Sequence, residues 1–201
     1  MSSGRIKKLT RKVLKDRQKA WVKTRGERKR MAVLAFDLWP EDWKKHMLSA
    51  KTIGAYMPLS DELDFSLVLE YLASKGKTIC FPRVNGEEMD FYEALPSDCK
   101  EKGSFGIYEP SSSARIVEPS RIDLLIVPGA AYAADGTRLG RGKGFYDRYC
   151  AENGKNQSDA FCGKILGTVP ERFMFRSLPG DEWDLRADAI VTEEHWYDVT
   201  K

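Results

Sequence analysis

Ile122-Asp-Leu-Leu-Ile-Val-Pro-Gly129-Ala-Ala-Tyr-Ala-Ala-Asp-Gly136-Thr-Arg138-Leu139-Gly140-Arg141-Gly142-Lys143-Gly144-Phe145-Tyr146-Asp147 is the stretch whose reading decides the fold. The apolar run over 122–127 predicts a strand buried on both faces, as in a parallel sheet. It empties into a glycine-rich, basic segment, and Gly144–Asn153 reads as a helix. Ligands of open α/β sheets sit at the carboxyl ends of strands, so this is where a site is expected. Glycines at 140, 142 and 144 let backbone N–H groups approach phosphate oxygens, and Arg138, Arg141 and Lys143 supply full charges. Two common phosphate motifs do not fit. A G-x-x-x-x-G-K-[ST] loop would need glycine where Thr137 stands and a hydroxyl where Gly144 stands, and G-x-G-x-x-G from Gly140 is broken by Phe145.

Outward from this loop, Thr52–Met57, Thr78–Pro82, Lys164–Val169 and Ala189–Thr192 read as further buried strands, with Asp61–Ser74 a helix between the first two. Strand–helix alternation of this kind predicts an α/β domain with a largely parallel sheet, and the 201 residues are most simply one domain, 1–201. Met89–Tyr92 and Gly103–Ile107 are polar-flanked and read as a small side sheet or a binding edge. Residues 5–22 predict an amphipathic helix with Ile6, Leu9, Val13, Leu14 and Trp21 on its apolar side and Lys7, Lys8, Arg11, Lys15 and Lys19 opposite. A second helix over about 26–37 ends before Pro40.

Charge is distributed unevenly. Residues 1–30 hold 13 Lys/Arg against Asp16 and Glu27, a surplus of 11, whereas the rest of the chain is acidic by 8. A basic arm on an acidic body points to an anionic ligand near the arm, and no nucleic-acid-binding motif accompanies it. No apolar run approaches the ~18–20 residues of a membrane span, and the expected location is the cytosol. Cys80, Cys99, Cys150 and Cys162 form no C-x-x-C pair and lie far from both histidines, so reduced thiols are expected rather than a zinc site.

The loop from Pro128-Gly129 through Gly136-Thr137-Arg138-Leu139-Gly140-Arg141-Gly142-Lys143-Gly144-Phe145-Tyr146-Asp147-Arg148 resembles the signature of the 5-formyltetrahydrofolate cyclo-ligases, also called methenyltetrahydrofolate synthetases. Supporting segments in the same order are Lys7 and Arg11, Met57 through Glu62, Phe81-Pro82-Arg83, Phe105-Gly106-Ile107, Glu109-Pro110 and Ala187 through Glu193. Two positions depart from the family pattern. Its frequent tyrosine pair reads Phe145-Tyr146 here, and its frequent Phe-Asp reads Tyr132-Ala133.

The resemblance implies a three-layer α/β/α fold akin to sugar-phosphate isomerases and CoA transferases. It also implies conversion of 5-formyltetrahydrofolate, with or without a polyglutamate tail, and ATP to 5,10-methenyltetrahydrofolate, ADP and phosphate, with Mg²⁺. A monomer is expected, with neither nucleic acid nor membrane as partner. Lys143, Arg141 and Tyr146 are the expected catalytic residues. Lys7, Lys8, Arg11 and the run Arg138, Leu139, Gly140, Arg141, Gly142, Lys143, Gly144, Phe145 and Tyr146 are expected to hold ATP. Met57, Glu62, Phe105 and Tyr146 are expected to hold the folate, and Asp147 and Asp188 the metal. Bland roles remain open beside these: Glu62 suits a helix start, Asp147 a helix cap or ion pair, and Asp188 a strand edge. Phosphoryl transfer to the formyl oxygen needs positioning and neutralised oxygens more than a covalent nucleophile, which suits a chain with two histidines.

Overall fold

A computed structural model describes residues 3–21, 23–103, 106–151 and 160–199. Its centre is an eight-stranded sheet in the order β13-β12-β10-β7-β1-β2-β3-β6. The parallel core comprises β1 (Thr52–Gly54), β2 (Thr78–Asn85), β7 (Leu124–Pro128), β10 (Lys164–Thr168) and β12 (Ala189–Val191). All five lie where the apolar runs predicted strands. Antiparallel strands flank them: β3 (Glu88–Glu93) and β6 (Ile116–Val117) at one edge, β13 (Trp196–Asp198) at the other.

Alternation along β7 builds the layers. Leu124 and Ile126 face a core with Ile53, Ile79, Leu166 and Ile190, closed by α2 (Arg25–Asp37), α3 (Glu41–Ser49) and α4 (Ser66–Ser74). Leu125 and Val127 face the other way, toward Cys80, Phe91 and the rings of α5 (Phe145–Cys150). Each buried aliphatic side chain contributes about 1.5–3 kcal/mol, so a strand buried on both faces is heavily stabilised. Among the described residues no helix is long and apolar enough to cross a membrane, and the cysteines are free thiols.

Several expectations are corrected. Residues 89–92 pair with β2 inside the main sheet rather than forming a side sheet, and Met89 lines the cavity described below, as the alternative of a binding edge expects. Ser104 and Phe105 of the expected 103–107 segment lie outside the described residues, while β4 (Glu101–Lys102) and β5 (Tyr108–Glu109) form a separate two-stranded ladder. The helix expected from Asp61 starts at Ser66, because Asp64 is buried and takes the Ser66 amide at 3.0 Å and Arg25 Nε at 2.8 Å. In α2, Thr24 and Glu27 form a capping box. α3 was not anticipated, although Pro40 followed by Glu41 and Asp42 is a helix-start signal.

The largest correction concerns α1 (Ser3–Ala20). Of its expected apolar side, Leu14 and Trp21 are buried, whereas Ile6, Leu9 and Val13 are 40%, 51% and 64% exposed. The body-facing row carries Lys7, Arg11, Leu14 and Gln18, and the first, second and fourth of these make polar contacts with it. Periodicity locates a stripe but does not say which stripe the body will meet.

Candidate functional site

A cavity of about 590 Å³ opens at the carboxyl ends of β7, β1 and β2. Pro128 and Gly129 end one strand in it, Tyr56 and Met57 follow the next, and Pro82 and Val84 belong to the third. Of the residues expected at a site, Lys7, Arg11, Met57, Glu62, Arg138, Gly140 through Tyr146 and Asp147 line it.

The loop is built around Arg138. It lies in β9 (Arg138–Leu139), which pairs with β8 (Ala131–Ala133), itself paired with β11 (Met174–Phe175). The Arg138 Nε donates to the Pro128 carbonyl at 3.0 Å. Its guanidinium lies 3.6 Å from an Asp147 carboxylate oxygen and 5.0 Å from the centre of the Tyr146 ring. Gly142 (φ +95°) and Gly144 (φ +69°) occupy left-handed conformations that side chains rarely adopt. α5 is only six residues long, so the positive potential here comes chiefly from Arg138, Arg141 and Lys143 rather than from a long helix dipole. Lys143 is exposed, and its carbonyl accepts from Arg148 Nη1 at 2.9 Å.

Arg141 turns back toward the loop after β1. Its Nη2 donates to Asp61 at 2.8 Å and Glu62 at 3.0 Å, and the Glu62 carboxylate also takes the Leu59 amide at 2.9 Å. Burial pushes the Glu62 carboxyl above the usual glutamate range, with Arg141 pulling the other way. Burial also raises the Tyr146 phenol strongly, keeping it a neutral donor. Glu62 and Arg141, expected at the folate and at the phosphates respectively, are thus paired with each other.

Other expected residues are engaged by the protein itself or stand elsewhere. Lys7 is 7% exposed and its ammonium is gripped by Asp181 at 2.6 Å and by Asp184. Burial would lower its pKa, but the two carboxylates win and raise it. Arg11 Nε donates to the Gly140 carbonyl at 2.7 Å. Lys8 is exposed and away from the cavity. The Leu139 side chain is wholly buried in the core, so its part in the loop is structural. Asp188 does not line the cavity: its carboxylate accepts the Ile165 amide at 2.8 Å, across from the neighbouring strand β10. Of the two expected metal ligands, Asp147 lines the cavity and Asp188 does not. Phe105 lies outside the described residues.

Four further cavity features stand beside the expected site residues, and in the first of them Met89 and Ile107 come from the segments read as a side sheet or a binding edge. Val84, Met89 and Ile107 form an apolar wall. Glu109 is a buried carboxylate there, raised by burial and bonded to the Val84 amide at 3.4 Å. Tyr56 donates to the Leu63 carbonyl at 2.7 Å. Trp183 and Asp184 complete the rim near α1. Among the described residues, no cluster of three or more His, Cys, Asp or Glu is suited to a metal.

The family model for the 5-formyltetrahydrofolate cyclo-ligase family matches residues 4–193. The 5-formyltetrahydrofolate cyclo-ligase of Escherichia coli K12 is 30% identical over 150 residues, 73% of this chain and 80% of that protein. The mouse cyclo-ligase is 25% identical over 154 residues, covering 73% and 75%. The NMR structure of Aquifex aeolicus 5,10-methenyltetrahydrofolate synthetase superposes with a TM-score of 0.72 at 30% identity, covering all of this chain and 94% of that one.

Proposed function

The chain belongs to the 5-formyltetrahydrofolate cyclo-ligase family, and from that membership and the lining of its cavity we propose that it makes 5,10-methenyltetrahydrofolate from 5-formyltetrahydrofolate and ATP. The observation that carries the reading is one cavity lined by two unlike sets of groups. Three glycines and the cations of the 138–143 loop suit phosphates, while buried Glu62 and the apolar Val84, Met89 and Ile107 suit a flat heterocycle with N–H donors.

The chemistry asks little covalent help of the chain. The γ-phosphoryl passes to the formyl oxygen, N10 closes the five-membered ring, and phosphate leaves. Lys143 and the amides of 140–144 offset charge on the transferring group, a donor of this kind being worth roughly 3–4 kcal/mol. Arg138 fixes the loop to the end of β7, and Arg141 links it to the Glu62 side, so the two substrates are held in one frame. Tyr146 supplies a phenol to the same cavity, beside Arg138. Glu62 accepts from the pterin amino and ring N–H groups.

Mg²⁺ fits with one protein ligand, Asp147, because this ion is satisfied by one or two carboxylates with phosphate oxygens and water. It would neutralise phosphate charge where Arg138 already holds Asp147 in place. Mixing the protein with ATP, Mg²⁺ and 5-formyltetrahydrofolate should produce methenyl absorbance that disappears when ATP is left out. Absence of the chromophore from folded protein would overturn the reading.

A further inference from the structure

Trp183 is 76% exposed, whereas the other four tryptophans are buried or half-buried. It lines the cavity, yet among the described residues no element covers it. Its turn is nevertheless tightly fixed. The Asp184 amide donates to the Asp181 carbonyl at 3.1 Å, and the Asp181 amide donates to the Asp184 carboxylate at 2.6 Å. Lys7 of α1 binds both carboxylates, and the Leu185 amide just beyond donates to Asp147 at 3.1 Å. The fold thus anchors a four-residue turn on two separate helices and presents a bare indole from it.

We propose that Trp183 is the platform on which the purine of the nucleotide stacks, and that Lys7 is a positioning residue for this turn rather than a phosphate ligand. The inference rests on the reading that the loop binds ATP. Its geometry comes from α1. Lys7 grips the Trp183 turn, and Arg11, one helical turn further on, grips the Gly140 carbonyl. The two attachment points on the helix are therefore about 6 Å apart along its axis, comparable with the reach of a ribose between base and phosphates. A ring on Trp183 would have its phosphates over Gly140–Gly144. The folate-facing residues Met57 and Glu62 follow β1 instead. Lys7 has its charge satisfied by two carboxylates, which leaves little of it for a phosphate.

The test uses the full chain with Trp183→Ala, Trp183→Phe, Lys7→Met and the double variant Lys7→Met/Trp183→Ala. Base–aromatic stacking predicts a rise of about 10-fold in KM for ATP in Trp183→Ala, with folate KM unchanged and most of the affinity restored in Trp183→Phe. Lys7→Met should also raise KM for ATP, and in the double variant its effect should largely vanish, because it acts through the indole. ADP titrated into the wild type should quench the exposed tryptophan emission, and Trp183→Phe should abolish that quench. An unchanged KM for ATP in Trp183→Ala, or a rise in folate KM instead, would overturn the platform; full additivity with Lys7→Met would return Lys7 to the phosphates. If the wild type itself makes no methenyl product, the enzymatic reading fails, while ADP quenching still decides the fate of Trp183.

Discussion

Lys143 sits between two left-handed glycines on an exposed part of the loop. Lys143→Met should leave thermal unfolding unchanged, within the roughly 0.5 kcal/mol of most surface changes, while kcat falls by about 10²-fold or more. Near-normal kcat with intact folding would remove the loop's central charge from the mechanism. Glu62 behaves differently, because burial lifts its carboxyl above the usual range. A carboxyl raised in the folded state favours folding when protonated, so it costs stability once pH exceeds its folded value. Glu62→Gln should therefore raise folate KM without lowering Tm at pH 7, with Asp61 still holding Arg141. A large loss of Tm would make Glu62 a structural partner of Arg141 instead. The 138–147 loop was legible because glycine, arginine and lysine at short spacing carry their meaning locally. The Arg141–Glu62 and Lys7–Asp181 pairs were not, since their partners lie 79 and 174 positions apart and only the fold joins them.

At the scale of elements, the five parallel strands could be read directly, because burial on both faces demands continuous apolar sequence. The helices were harder. Asp64 moved the start of α4, and α1 buries Leu14 but leaves Ile6, Leu9 and Val13 exposed, because its other anchors are polar: Arg11 on Gly140, Gln18 on the Ala130 carbonyl at 3.2 Å, and Lys7 on two acids. This split is testable. Val13→Ala should change stability by less than ~0.5 kcal/mol, although periodicity alone would place Val13 in the core. Leu14→Ala, one position on and buried, should cost roughly 2–4 kcal/mol and expose α1 to proteolysis. Equal effects at both positions would mean that α1 packs by its other face. Arg11→Ala should raise KM for ATP more than for folate, since it removes the contact that holds α1 over the phosphate loop; equal effects on the two would count against it.

Across the whole molecule, burial and hydrogen bonding pull carboxylates in opposite directions. Two in the cavity, Glu62 and Glu109, are raised by burial. Asp64, Asp135 and Glu171, in the scaffold, are lowered: burial alone would raise them, but hydrogen bonds to each outweigh it. Glu193, raised by burial beside Glu171, offsets part of this. A carboxyl depressed in the folded state adds stability above its unfolded pKa, and that stability is lost as pH falls through the folded value. Asp64 is the sharpest case, because it joins α2 to the start of α4 through Arg25 and the Ser66 amide. Arg25 is more than half exposed, which screens the pair and limits its worth to about 1–2 kcal/mol. Asp64→Asn keeps an oxygen for the Ser66 amide and removes the charge facing Arg25. At pH 7 it should lower Tm by roughly 3–6 °C for a chain of this size. The gap should hold down to about pH 5, narrow below the ordinary aspartate value of 3.8, and close once the wild-type carboxyl is itself protonated. Thermal unfolding of both proteins at matched ionic strength from pH 7 to pH 3 measures it. A gap that persists unchanged at pH 3 would show that shape rather than charge at Asp64 joins the two helices.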